Sequence, residues 1–146
     1  MDKQMSSSDG VRWIVRLPAA YNSWTGVTFG NGLFVAVNSN GVRNRVQTSP
    51  NGITWTRRSS AADNAWAAVT FGNSLFVAVA TTGTGNRVQT SPNGINWTIQ
   101  KSAADIAWDA ITFGDGTFVA VSYDGIGNQV QTSSDSVMGK PHQSHG

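Results

Sequence analysis

The stretch SPNGITW at residues 49–55 recurs as SPNGINW at residues 91–97, and SSDGVRW at residues 7–13 follows the same pattern. Consecutive copies are 42 residues apart, and each copy ends in tryptophan. A second set of tryptophans has the same spacing and consists of Trp24, Trp66 and Trp108. A fixed period of this length indicates a chain built from repeated structural units.

Each period contains four short β-prone runs separated by turn residues. In the first period these runs are Trp24–Phe29, Leu33–Val37, Arg45–Thr48 and Ile53–Arg57. The Asn-Gly pairs between runs supply the positive φ angles that tight hairpins need. Four antiparallel strands in a repeat of about 40–45 residues are typical of a β-propeller blade. We therefore predict an all-β propeller with three blades per chain, at residues 24–58, 66–100 and 108–135.

The S-x-D/N-G-x-x-W element resembles a shortened Asp-box, also called the BNR repeat, of sialidase-like propellers. It is also similar to repeats in bacterial and phage-type proteins that read TSPDGITW. The resemblance implies a folding device on the hairpin between the third and fourth strands. The acid or amide would cap backbone N–H groups and the tryptophan would pack into the blade. The residues in these roles would be Asp9, Trp13, Asn51, Trp55, Asn93 and Trp97.

The predicted blades are incomplete at both ends of the sequence. Residues 7–17 contain a box turn and a fourth strand, and the pattern after residue 108 stops at Asp135 before a fourth strand. An open blade leaves an unpaired edge. We expect residues 7–17 of one copy to close the last blade of another, giving a six-bladed homodimer with strand exchange. The alternatives are a nine-bladed trimer, a fragment of a longer propeller or an engineered repeat.

The propeller prediction covers residues 1–137, and residues 138–146 are predicted to be a disordered tail, either natural or vector-derived. The sequence has no Cys and no Glu, and both histidines lie in this tail. We therefore predict no metal site and no cofactor. A net charge of +2 without a long basic run makes nucleic acid an improbable partner. The sequence shows neither a signal peptide nor a membrane span, while the resemblance alone suggests an extracellular or phage-associated protein.

Loops between the second and third strands, and between the fourth and first strands, vary most among the repeats. We expect both kinds on one face, as a place for a ligand. Tryptophans beside such loops suit sugar rings, which predicts a lectin-like binding module. Its candidate ligand residues are Trp24, Trp66, Trp108, Arg43, Arg45, Arg58, Arg87, Tyr123 and Asp124. The alternative is a protein-interaction or structural propeller, and buried indoles would favour it.

The resemblance to sialidases also raises the question of catalysis. Sialidase chemistry would require a tyrosine nucleophile activated by glutamate, an aspartic acid and three arginines. This sequence has no Glu, and its two tyrosines, Tyr21 and Tyr123, occupy non-equivalent positions in the repeats. The aspartates show no paired arrangement of the kind that glycosidases use. We therefore predict that the protein is not an enzyme and assign no catalytic residue.

Overall fold

The structure is a computed structural model that describes residues 4–127, 129–134 and 140–142. The described residues form three four-stranded antiparallel sheets and one two-stranded sheet. The two-stranded sheet contains β1 (Gln4–Ser6) and β2 (Ile14–Arg16). The first blade contains β3 (Trp24–Gly30), β4 (Leu33–Asn38), β5 (Val46–Ser49) and β6 (Thr56–Arg58). The second contains β7 (Trp66–Gly72), β8 (Leu75–Ala80), β9 (Val88–Ser91) and β10 (Thr98–Gln100). The third contains β11 (Trp108–Gly114), β12 (Thr117–Ser122), β13 (Val130–Ser133) and β14 (Lys140–His142).

Each four-stranded sheet is a meander in which strands that follow one another along the chain are also neighbours in space. The first two strands of the first blade are joined by Asn31 and Gly32, whose φ angles are 50° and 74°. Positive φ at both central residues gives the turn the twist of the strands that it joins. The corresponding residues of the second blade are Asn73 and Ser74, with φ angles of 51° and 60°. The turn in the second blade therefore keeps the backbone conformation of the first, although Ser74 replaces glycine.

The hydrophobic core lies between blades rather than inside any one of them. The side chains of Val35 and Val37 in the first blade pack with Trp66, Val69 and Phe76 of the second. The same arrangement between the second and third blades is made by Val77, Val79, Trp108 and Phe118. Because a blade is one sheet thick, it buries apolar side chains only when another blade covers its face.

Two segments differ from the sequence prediction. The third-strand position before the first box is occupied by β1, which pairs with β2 in the register that β5 and β6 use. The predicted tail contains β14, which pairs with β13 in that same register. The prediction of a third blade without a fourth strand is therefore wrong for this chain. The edge of β13 carries backbone groups that require partners, and an extended segment provides them even without the repeat sequence.

The proline in β14, Pro141, is compatible with this position because β14 is an edge strand. The other residues of the predicted tail, 138–139 and 143–146, lie outside the described residues. So does Asp135, where the third blade was expected to end. The exchange of residues 7–17 between copies stays a prediction, and β14 holds the strand position that the exchanged segment was expected to fill.

Candidate functional site

The three box turns share one set of hydrogen bonds. In the second box, the hydroxyl of Ser49 accepts from the N–H groups of Asn51 (3.2 Å) and Gly52 (2.8 Å). The side-chain oxygen of Asn51 accepts from the N–H groups of Ile53 (2.9 Å) and Thr54 (3.0 Å). Ser7 with Asp9, and Ser91 with Asn93, make the same contacts. The serine hydroxyl and the side-chain oxygen of Asp or Asn thus form their hydrogen bonds within the turn itself.

The box tryptophans serve the same turn. The indole N–H of Trp55 donates to the carbonyl of Gly52 at 3.2 Å, and Trp13 and Trp97 make the equivalent bond. In the first box, the N–H groups of Arg12 and Val11 and the Ser7 hydroxyl donate to the carboxylate of Asp9 and lower its pKa. Each of the six box residues therefore forms side-chain hydrogen bonds within its own turn.

Two tryptophans of the second set, Trp66 and Trp108, lie in the cores between blades. Trp66 and Trp108 are 0% exposed, and Trp24 is partly buried. Each indole N–H donates at 3.0 Å to a carbonyl four residues earlier, those of Ala20, Ala62 and Ala104. A buried ring offers no face to a sugar. Trp66 and Trp108 therefore cannot line a sugar site. Buried indoles are the observation that was expected to favour the protein-interaction alternative.

Arg45 and Arg87 donate to backbone carbonyls of their own loops, and Arg45 also donates to one carbonyl of a neighbouring loop. Arg45 donates to Gly41 (2.8 Å), Ser39 (3.0 Å) and, in the loop that leads into the second blade, Asn64 (2.8 Å). Arg87 repeats the first two contacts with Gly83 and Thr81 at 2.8 Å. Their Nε atoms also lie 3.8 Å and 3.9 Å from carboxylate oxygens of Asp63 and Asp105. Both arginines therefore hold loops together.

The two variable kinds of loop do form a single face. The carboxylate of Asp63 accepts from the N–H of Arg43 at 3.1 Å, and Asp105 accepts from Gly85 at 3.0 Å. The N–H of Ser39 donates to the carbonyl of Ser23 at 3.0 Å. We call this surface the loop face and define it by the loops at residues 17–23, 39–45, 59–65, 81–87, 101–107 and 123–127.

Apolar side chains project from the loop face. Tyr123 is 79% exposed and Ile126 is 98% exposed, and Tyr21 and Val42 are also exposed. Arg43 is exposed, while Arg58 lies on β6 and donates to Thr48 at 3.0 Å. Of the predicted ligand residues, Arg43, Tyr123 and Asp124 therefore remain on the accessible part of the face. Val42 and Ile126 were not predicted, because the sugar-binding hypothesis favoured aromatic, charged and hydroxyl-binding groups over aliphatic ones.

Asp124 is exposed, but its carboxylate already has partners. It accepts from the Ser122 hydroxyl at 2.7 Å and from the N–H of Ala107 at 3.0 Å. The hydrogen bond from Ser122, together with the one from Ala107 and the charge of Arg87, lowers the pKa of Asp124 despite a smaller opposing effect of desolvation. The side chain therefore positions the loop that carries Tyr123 and Ile126.

A cavity of about 680 Å³ lies between the β1–β2 hairpin and the first blade. Its apolar lining includes Trp13, Ile14, Val27, Phe34 and Trp55.

In the described residues, no group of three or more His, Cys, Asp or Glu side chains is arranged to hold a metal ion. The described part of the chain also has no helix long and apolar enough to cross a membrane.

Solved structures with the same arrangement of blades identify the architecture. The chain superposes on YCF48 bound to a D1 peptide with a TM-score of 0.69 and 17% identity, covering 97% of this chain and 47% of YCF48. The fold is a β-propeller. The computationally designed propeller Ika4 matches with a TM-score of 0.59 and 16% identity, over 86% of this chain and 74% of Ika4.

An enzyme also shares the architecture. A β-fructofuranosidase of Bombyx mori matches with a TM-score of 0.50 and 13% identity, over 82% of this chain and 34% of the enzyme. The chain thus spans about half the length of YCF48 and a third of the enzyme. No protein-family description and no curated protein sequence matches it. At these identities the likeness concerns the fold alone, and function has to be argued from the residues.

Proposed function

We propose that this propeller is a non-enzymatic binding module whose partner is a protein segment, bound on the loop face. The observation that carries the proposal is the pair Tyr123 and Ile126, which project from a loop anchored by hydrogen bonds. Exposed aromatic side chains and arginines are the groups that contribute most at protein interfaces. Arg43 and Tyr21 extend the same chemistry across the face.

Two further observations support a protein partner over a glycan. Trp66 and Trp108 are buried, so the rings that would stack on sugars are occupied in the core. YCF48, whose fold is similar, has been solved with a bound peptide, which supports the proposal by analogy. The absence of Glu from the sequence supports a non-enzymatic role.

The test uses a phage-displayed library of random peptides and a glycan array. We expect the wild-type chain to enrich peptides and the Tyr123→Ser/Ile126→Ser variant to bind them about 30-fold more weakly, which corresponds to roughly 2 kcal/mol for losing a central anchor. The control is Ile53→Ser/Ile95→Ser, which removes exposed side chains from the box turns. Failure to enrich peptides, equal losses in both variants, or binding to glycans instead would contradict the proposal.

We also propose that two copies close a six-bladed ring, which presents two loop faces and raises avidity for a repeated partner. Light scattering should give about twice the chain mass of 15.5 kDa. A variant lacking residues 1–17 should lose this dimer only if residues 7–17 replace β14 in the third blade of the partner copy, and should keep it if the blade faces alone join the copies. A mass of three chains would favour the nine-bladed alternative, and a monomer would exclude the ring.

A further inference from the structure

We infer that the two outermost blade faces of this chain bind each other between copies, with the ring of Phe29 in one copy packed on Gly114 of a second copy. The inference rests on the proposed ring and assigns its contacts. The partner is a second copy of this chain, because the two faces are the two halves of a junction that the chain already makes twice.

The internal junctions show what such a contact requires. At the first junction, between the first and second blades, the ring of Phe71 lies against Gly30. At the second junction, between the second and third blades, the ring of Phe113 lies against Gly72. A Cβ atom on either glycine would overlap the ring. Glycine at the end of the first strand therefore forms a seat for the phenylalanine of the next blade, and any side chain would close the seat.

The third pair of this series is separated to the two ends of the blade array. Phe29 is the residue equivalent to Phe71 and Phe113, and it is 53% exposed. Gly114 is equivalent to Gly30 and Gly72, and no described atom lies within 4 Å of a Cβ built on it. The described chain thus presents one free ring and one free seat.

The residues around this pair are apolar and accessible to solvent. On the first blade, Val27 is 61% exposed, whereas its equivalent Val69 is 7% exposed because another blade covers it. On the third blade, Val121 is 43% exposed, whereas its equivalents Val37 and Val79 are 0% exposed. Joining the two faces would form a third core with the composition of the two internal ones.

The cavity beside the first blade has the position that a neighbouring blade would fill. At the first junction, a Cβ on Gly94 would lie 2.9 Å from side-chain carbons of Leu33 and Val35 in the preceding blade. The equivalent glycine, Gly52, borders the cavity, and the described atoms nearest to a Cβ there belong to Phe34 of its own blade, the first at 3.5 Å. The residues equivalent to Leu33 and Val35 are Thr117 and Val119 of the third blade. A second copy would bring them into the cavity when its β13 and β14 replace the β1–β2 hairpin, which has the third- and fourth-strand register before the first blade.

The charges at the junctions are consistent with the same pairing. Each internal junction has an arginine and an aspartate 18 residues apart, Arg45 with Asp63 and Arg87 with Asp105. At the junction between copies, the equivalent positions are Gln129 and the partner copy's residue at position 21, a tyrosine. Neither position carries a charge, so this pair leaves no unpaired charge when the junction closes.

The sequence lacks cysteine, so disulfide trapping can test the contact directly. We expect the Phe29→Cys/Gly114→Cys variant to form a covalent dimer on oxidation, seen on a non-reducing denaturing gel. The matched control is Gly30→Cys/Phe71→Cys, which places the same pair at an internal junction and should form its disulfide within one chain. Each single cysteine variant should give much less covalent dimer than the double variant.

A second measurement avoids dependence on disulfide geometry. Phe29→Ala should raise the dimer dissociation constant by tenfold or more, measured by light scattering on dilution, because it removes the ring from the seat. Phe113→Ala is not a suitable control, since it disturbs an internal core. The better control is Ile95→Ala, which removes a side chain from a box turn.

The results of these experiments distinguish the contact of Phe29 with Gly114 from the six-bladed ring itself. A wild-type dimer that neither crosslinks through positions 29 and 114 nor responds to Phe29→Ala would overturn this contact and leave the ring standing. A wild-type monomer would overturn both. A ladder of covalent oligomers would show that the contact forms but that the assembly stays open, and the closed pair of copies would then be wrong.

Discussion

Trp66→Ala should lower the free energy of unfolding by about 3–5 kcal/mol, the loss typical of deleting a fully buried aromatic side chain. Trp66 is 0% exposed and packs with Val35, Val37 and Phe76 in the core between the first two blades. The substitution also removes the hydrogen bond to the carbonyl of Ala62. Chemical denaturation followed by circular dichroism, at one fixed protein concentration, measures the change.

The matched control is Trp13→Ala, which removes a tryptophan that is half exposed. Among the described residues its indole N–H donates only to the carbonyl of Gly10 in the same turn, so we expect a loss of about 1 kcal/mol or less. If Trp66→Ala cost no more than Trp13→Ala, the assignment of Trp66 to the core would be wrong, and the sugar-binding role predicted from the sequence would regain support.

Gly72→Val is the second substitution for which we expect a large effect. The new side chain would overlap the ring of Phe113, and the third blade would have to move away from the second. Overpacking of this kind typically costs about 1–3 kcal/mol and sometimes more. Thermal unfolding should therefore show a lower midpoint than wild type.

Gly114→Val provides the comparison, because it makes the same change at the equivalent position of the third blade. No described atom lies within 4 Å of a Cβ at that position. The midpoint of a dilute sample should stay close to wild type, since β-branched residues suit strands. Equal destabilisation by the two substitutions would mean that local strand preference, and not the seat for Phe113, explains the need for glycine.

The period of the tryptophans and the Asn-Gly turns predicted the propeller and most strand positions, because these signals are local. Whether the tryptophan of a blade is buried depends on the preceding blade, and both faces of a blade carry apolar residues. The sequence therefore left open whether Trp66 faces a ligand or the core. The strand β14 was missed for a different reason, since KPH has no strand signal and pairs only because β13 offers an edge.

The candidate site was predicted in outline. The two kinds of variable loop do meet on one face, through contacts such as Arg43 with Asp63. The sequence could not show that the guanidinium groups of Arg45 and Arg87 donate to loop carbonyls. It also could not distinguish Ile126 from a buried loop residue, because burial in a loop has no periodic signature.

The location of the cores between blades has a consequence for cooperativity. Each blade is stabilised only by its nearest neighbours, so the array behaves as a one-dimensional chain of coupled units. The middle blade has a neighbour on both sides, whereas each outer blade has one on a single side. Fraying should therefore begin at the outer blades and reach the middle one last. Closing the array into a ring removes the ends from which fraying starts, and local opening then has to break two interfaces at once.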